Sequence, residues 1–179
     1  MIENVRQAFD LEKLQGMLDS IKHATGLTAA VLDADGKLLA EGADIDLCAG
    51  FLTGHPELGQ CCIEDRKKLA AQVTDAAQPV ISSCPYGLAS AAAPLRVNGV
   101  CLGGLLLGKV FLEPPDRERF RELARRAGFD QERLLAAVDR VPVLTREQFN
   151  SQVELLISLT TLLADQVAAR LEAGRAAGQ

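Results

Sequence analysis

Tryptophan is absent from the 179 residues, tyrosine occurs once and phenylalanine six times. Flat stacking partners for a flavin, a nucleobase or a large sugar are therefore scarce, which favours a small aliphatic or polar ligand. Histidine occurs twice, as His23 and His55, so proton-transfer chemistry has few natural agents. No Cys-x-x-Cys spacing joins any of the five cysteines, Cys48, Cys61, Cys62, Cys84 and Cys101. That absence and the odd count argue against a disulfide framework and fit thiols kept reduced in the cytosol. No apolar run reaches bilayer length, because charge or glycine interrupts each one. Positive charge is not in excess either. The formal net charge is -5, which disfavours phosphate backbones and anionic lipid surfaces as partners. Met1 to Arg6 contain no basic stretch followed by an apolar core, so a cytoplasmic location is expected.

What is present reads as an α+β domain. Asp10 can cap a first helix in which Leu11, Leu14, Leu18 and Ile21 recur at three-four spacing until Gly26 ends it. Residues 27–32 and 37–40 read as two strands around a turn at Gly36. A helical turn is expected over 47–52, a loop at Gly54-His55-Pro56, and a helix over 64–77. Strands follow over 80–84, 89–97 and 100–111, the last two joined by Asn98-Gly99, the strongest hairpin signal in the chain. Asp116 and Asp130 can cap two short helices, and Thr145 to Gln148 form a capping box that opens a long helix. Hairpin joints exclude a doubly wound parallel sheet. They predict an antiparallel sheet with helices on one face, flanking terminal helices, and a cup where a ligand can sit. The chain reads as one domain with a core over about 10–143 and a signalling or dimerisation helix over 145–173. In that helix Phe149, Val153, Leu156, Thr160, Leu163 and Val167 hold one stripe, widened by Leu155, Leu159 and Leu162. A homodimer through the terminal helices is expected.

Several motifs bear on chemistry. Gly103 to Lys109 has the glycine and lysine spacing of a phosphate-binding loop, but Val110 stands where that loop needs Ser or Thr, and the segment reads as a strand. Cys48, Cys61 or Cys62, and Cys84 fall at the ends of expected elements around the cup. With His55 they could complete a tetrahedral metal site, and Cys84-Pro85 is a dipeptide that can ligate haem. The plainer reading is that each packs as a small hydrophobe. Nucleophilic catalysis would need a thiolate beside a base, and only a Cys48–His55 pair offers itself. Carboxylates appear on helix faces and caps, so no acid-base pair stands out and no enzymatic activity is expected. The arginines between 117 and 126 alternate with Glu118 and Glu122, the pattern of a solvated helix face.

Taken in order, other residues carry a family resemblance. These are Leu14-Gln15, Thr25-Gly26-Leu27, Asp33-Ala34-Asp35-Gly36, Cys48, Cys61 with Asp65, Cys84 with Gly87-Leu88, Pro94, and Gly99 with Gly103 and Gly108. Over about residues 10–170 the chain resembles the PocR-type sensory domain, a variant of the PAS-like fold. The resemblance implies a domain of bacterial or archaeal signalling proteins that binds small hydrocarbon derivatives such as propanediols. A separate kinase or transcriptional regulator would act as its partner. It also implies that Cys48, Cys61 and Cys84 act together, as metal ligands or as pocket walls. Two departures stand out: Pro85-Tyr86 replace a frequent histidine, and Lys109 replaces a frequent glutamine. Lys109 would suit a carboxylate better than a diol. The expected ligand-binding residues are Cys48, Cys61, Cys84, Tyr86 and Lys109.

Overall fold

The computed structural model describes residues 9–177; Met1 to Arg6 lie outside the described residues. Helix α1 (Leu11–Thr25) starts where the Asp10 side chain accepts from Lys13 N and ends at Gly26, whose φ of 74° is left-handed. Strands β1 (Thr28–Asp33) and β2 (Leu38–Glu41) follow as a hairpin. A single π-helical turn (Cys48–Leu52) leads to helix α2 (Pro56–Asp75). Strands β3 (Val80–Ser83), β4 (Ala89–Val97) and β5 (Val100–Val110) come next, then α3 (Arg117–Ala127), α4 (Gln131–Asp139) and α5 (Arg146–Ala177). The five strands pair antiparallel in the order β2-β1-β5-β4-β3. Asn98 and Gly99 both take positive φ, 51° and 81°, as the hairpin signal required.

The period-two alternation of the central strands divides the sheet into two faces. Ala29, Val31, Ala91, Ala93, Leu105 and Leu107 face one core, shared with Leu14 and Leu18 of α1 and with Phe149, Leu156, Leu163 and Val167 of α5. Leu32, Ala92 and Leu106 face the other way, onto Leu69 and Val73 of α2. The flanking terminal helices thus cover the face opposite to α2. A third cluster joins the π-helical turn to α3 and α4 through Leu47, Leu52, Phe120, Leu134 and Val138.

One boundary differs from the sequence reading. Gly54-His55-Pro56 is the start of α2, not a loop ahead of a later helix. The His55 imidazole accepts from Leu58 N, and Pro56 occupies the first helical position, where its fixed φ suits the helix. Gly59 then lies against the π-helical turn, so close that a Cβ there would stand 2.4 Å from the Thr53 carbonyl oxygen. Cys61 and Cys62 are therefore inside a helix, where one residue is a turn of about 100° and only one of the two can face inward.

Candidate functional site

A cavity of about 100 Å³ lies between the α2 face of the sheet and the helical segments above it. Ala30, Leu32, Leu88 and Leu106 form its apolar floor. Cys48 and Leu52 of the π-helical turn, and Cys62, Asp65 and Leu69 of α2, form its roof. Cys84, Tyr86, Ser90, Glu41 and Lys109 close the sides. Cavities of about 150 Å³ admit benzene, so this one suits a smaller molecule.

The turn between β3 and β4 carries Cys84 and Tyr86. Cys84 N donates to Leu88 O and Gly87 N to Cys84 O, both at 2.9 Å, with Gly87 at φ 86°. Arg119 of α3 holds this turn from outside by donating to Pro85 O at 2.6 Å. Tyr86 Oη donates to Leu58 O at 3.2 Å and so ties the turn to α2 beside the cavity.

Four of the five expected site residues meet here: Cys48, Cys84, Tyr86 and Lys109. Cys61 does not, because it is exposed on the outer face of α2, and its neighbour Cys62 takes the inward position. Nor do the thiols assemble as metal ligands with His55. His55 caps α2 and sits edge-on to Phe129, ring centres 5.5 Å apart. Among the described residues no three His, Cys, Asp or Glu side chains are grouped to hold a metal ion.

Charge further defines the site. Burial pushes the Cys48 thiol up to about 12, although Lys109 pulls it back. Burial likewise raises Cys62 and Cys84, the latter against three backbone N–H groups. The wall therefore presents protonated thiols, not thiolates, and a Cys48–His55 catalytic pair has no nucleophile at neutral pH. A neutral thiol favoured by burial binds its proton more tightly in the folded chain. The stability from Cys48 is complete below the ordinary thiol value of 9.0 and is lost as pH rises towards 12. Urea unfolding is expected to show stability falling between pH 9 and 11, and Cys48→Ala is expected to flatten that fall. An unchanged slope in Cys48→Ala would assign the fall to other groups.

Lys109 is not free to receive an anion. Its Nζ donates to Glu41 Oε1 at 2.9 Å and to Asp44 Oδ1 at 2.6 Å. Burial opposes its charge, but Asp44 and then Glu41 outweigh it and the lysine value is raised. Arg66, the other cation of the cavity wall, donates its Nε to Gly36 O at 3.0 Å and makes no salt bridge with a described residue. Across the cavity Asp65 is raised by burial, which Lys68 partly offsets. Asp65 lines the cavity with no hydrogen bond to another described residue. Sequence reading missed Glu41, Asp44 and Asp65 as site residues. For Asp65 the family pattern, four residues after Cys61, was the available signal.

The long helix α5 contributes no residue to the cavity, since it packs on the other face of the sheet.

An antiparallel sheet in the order β2-β1-β5-β4-β3, with a cavity between one face and its helices, is an α+β fold of the PAS-like class. The chain belongs to the family of the sensory domain found in PocR, whose model matches residues 7–167. No curated protein matches. Two solved structures align with the chain at low identity. One is a type II free methionine-R-sulfoxide reductase from Thermoplasma acidophilum, 15% identical, covering 92% of this chain and 95% of its own, with a TM-score of 0.40. The other is a candidate transcriptional regulator from Rhodococcus sp. RHA1, 14% identical, covering 92% of this chain and 72% of its own, with a TM-score of 0.43. No helix among the described residues is long and apolar enough to cross a membrane.

Proposed function

We propose that the domain senses a small, uncharged polar molecule, of the size and kind of a short diol, held in the cavity between the sheet and α2. The observation that carries this reading is the engagement of both cavity cations, Lys109 by Glu41 and Asp44 and Arg66 through its Nε by the Gly36 carbonyl oxygen. Asp65 and the Ser90 hydroxyl offer acceptors to a ligand hydroxyl, while Leu32, Leu88 and Leu106 cover its carbon skeleton. A carboxylate would enter beside Glu41 and Asp65 and would have to displace the Lys109 ion pairs or draw Arg66 from Gly36, whereas a neutral hydroxyl leaves them in place.

The output is a change in a pair of chains. Leu155, Ile157 and Leu162 leave α5 exposed at 38%, 42% and 62%. Apolar side chains standing free on one helix suit pairing with the same helix of a second copy. A separate kinase or transcriptional regulator then reads the pair, consistent with a sensory-domain family.

Thermal unfolding with three ligands on one three-carbon skeleton tests the reading. Propylene glycol and 1,3-propanediol are expected to raise the midpoint in a concentration-dependent way, and lactate is not. Asp65→Asn is expected to reduce the shift with propylene glycol. A shift with lactate alone, or with none of the three, would sink this assignment.

A further inference from the structure

We propose that Lys109, with Glu41 and Asp44, is a relay that carries the state of the cavity to helix α1. The inference rests on the ligand-sensing reading above, but its test needs no ligand.

The sheet stands between the cavity and the terminal helices, so a signal must pass around its edge. Lys109 and Glu41 both line the cavity. The two carboxylates that hold Lys109 bracket a short segment, Glu41 to Asp44, that leaves β2 and leads to the π-helical turn. The same segment is fastened to α1 on its other side. Gln15 Nε2 donates to the Glu41 carbonyl oxygen at 2.8 Å. Ala43 N donates to the Asp19 carboxylate at 3.3 Å. Between them Gly42 lies so near α1 that a Cβ would stand 2.8 Å from the Leu18 carbonyl oxygen. One piece of backbone therefore has its side chains on Lys109 and its main chain on α1.

Lys109 itself is held in a left-handed conformation, φ 63°, directly after Gly108. A lysine rests there only when its surroundings over-determine it, and two ion pairs supply that constraint. A ligand that competes for Nζ or for the Glu41 carboxylate changes this balance and shifts the 41–44 segment against α1. From α1 the path reaches α5 through their common core, and through Arg170, which donates to Asp10 at the start of α1 at 3.1 Å. The output helix is thus driven from α1 and not by contact with the ligand.

Coupling between two places is reciprocal, so a change made on α1 must be felt in the cavity. Gln15→Ala cuts the α1 end of the relay, and Gln15 does not line the cavity. Iodoacetamide labelling of the native full chain, read cysteine by cysteine by mass spectrometry, is the measurement. Gln15→Ala is expected to raise labelling of Cys48 and Cys62 about fivefold, the low end of ordinary coupling. Exposed Cys61 serves as the unchanged reference. Gln15→Lys, which keeps a donor for the Glu41 carbonyl, is expected to restore the wild-type rates. Arg117→Ala, which breaks an exposed ion pair with Asp139 on α3 and α4, is expected to leave them alone and controls for general loosening. Unchanged Cys48 and Cys62 rates in folded Gln15→Ala, or an equal rise in Arg117→Ala, would overturn the relay. Failure of the small-ligand reading would appear instead as absent thermal shifts, with these labelling rates as expected.

Discussion

Gly103→Ala is expected to yield no folded protein. Gly103 sits in the central strand β5, between Asp33 of β1 and Leu95 of β4. Its φ of 137° is one that side chains rarely adopt. A Cβ there would stand 2.0 Å from the Leu32 carbonyl oxygen and 2.8 Å from Asp33 Cα. Both are backbone atoms of the paired strand, so no side-chain rotation relieves the overlap. Relief requires β1 and β5 to separate, which undoes the pairing between the two faces of the core. The cost is expected to exceed about 4 kcal/mol, a large part of the stability of a domain this size. Gly16→Ala is the contrasting case. Gly16 lies in α1 with open space around its Cα, so alanine is expected to stabilise by about 0.5–1 kcal/mol. Circular dichroism and gel filtration separate the two outcomes, and a soluble, cooperatively unfolding Gly103→Ala would show that the β1–β5 register is wrong.

Lys109→Met is expected to cost about 3 kcal/mol at pH 7, the loss found when one member of a buried ion pair is removed. The side chains of Glu41 and Asp44 are only 27% and 15% exposed, and Lys109 is the cation that both of them contact. Methionine fills much of the lysine stem's volume, so the loss reports charge more than packing. The pH dependence has a definite sign. Lys109 is raised above its ordinary value of 10.5, so its contribution is complete below that value and disappears as pH climbs through the raised value. The gap between wild type and Lys109→Met is therefore expected to be constant from pH 6 to 9 and to close only in strong alkali. Adding Glu41→Gln is expected to recover part of the loss by removing one stranded carboxylate. Urea unfolding measures all of these, and a Lys109→Met variant as stable as wild type would remove the ion cluster from the account of this site.

The sequence made the local devices legible and the long-range ones illegible, for physical reasons. Asn98-Gly99 and Gly36 mark turns because few residues tolerate positive φ. Asp10, Asp116, Asp130 and the Thr145–Gln148 pair mark helix starts because each satisfies backbone N–H groups within a few residues. Gly103 to Lys109 is a strand, in keeping with the Asn98-Gly99 hairpin turn ahead of it and the missing Ser or Thr. The cavity's charge balance is another matter. Lys109 meets carboxylates 68 and 65 positions away, and no spacing rule connects them. The choice between Cys61 and Cys62 turned on where α2 begins, and that depended on His55 serving as a cap, a role usually filled by Ser, Thr, Asp or Asn. The placement of α1 and α5 across the sheet from the cavity follows from which face of each strand is up, a matter of register that a run of Ala, Val and Leu on both faces conceals.

Xenon pressurisation of crystals reports most directly whether a dry-floored hollow exists beside these thiols, because xenon occupies apolar cavities without needing any ligand chemistry. A xenon peak is expected among Leu32, Leu69, Leu88 and Leu106, on the α2 side of the sheet, and is expected to vanish in Leu106→Phe. No peak there in wild type, with side chains meeting across the space, would contradict a cavity-based sensor.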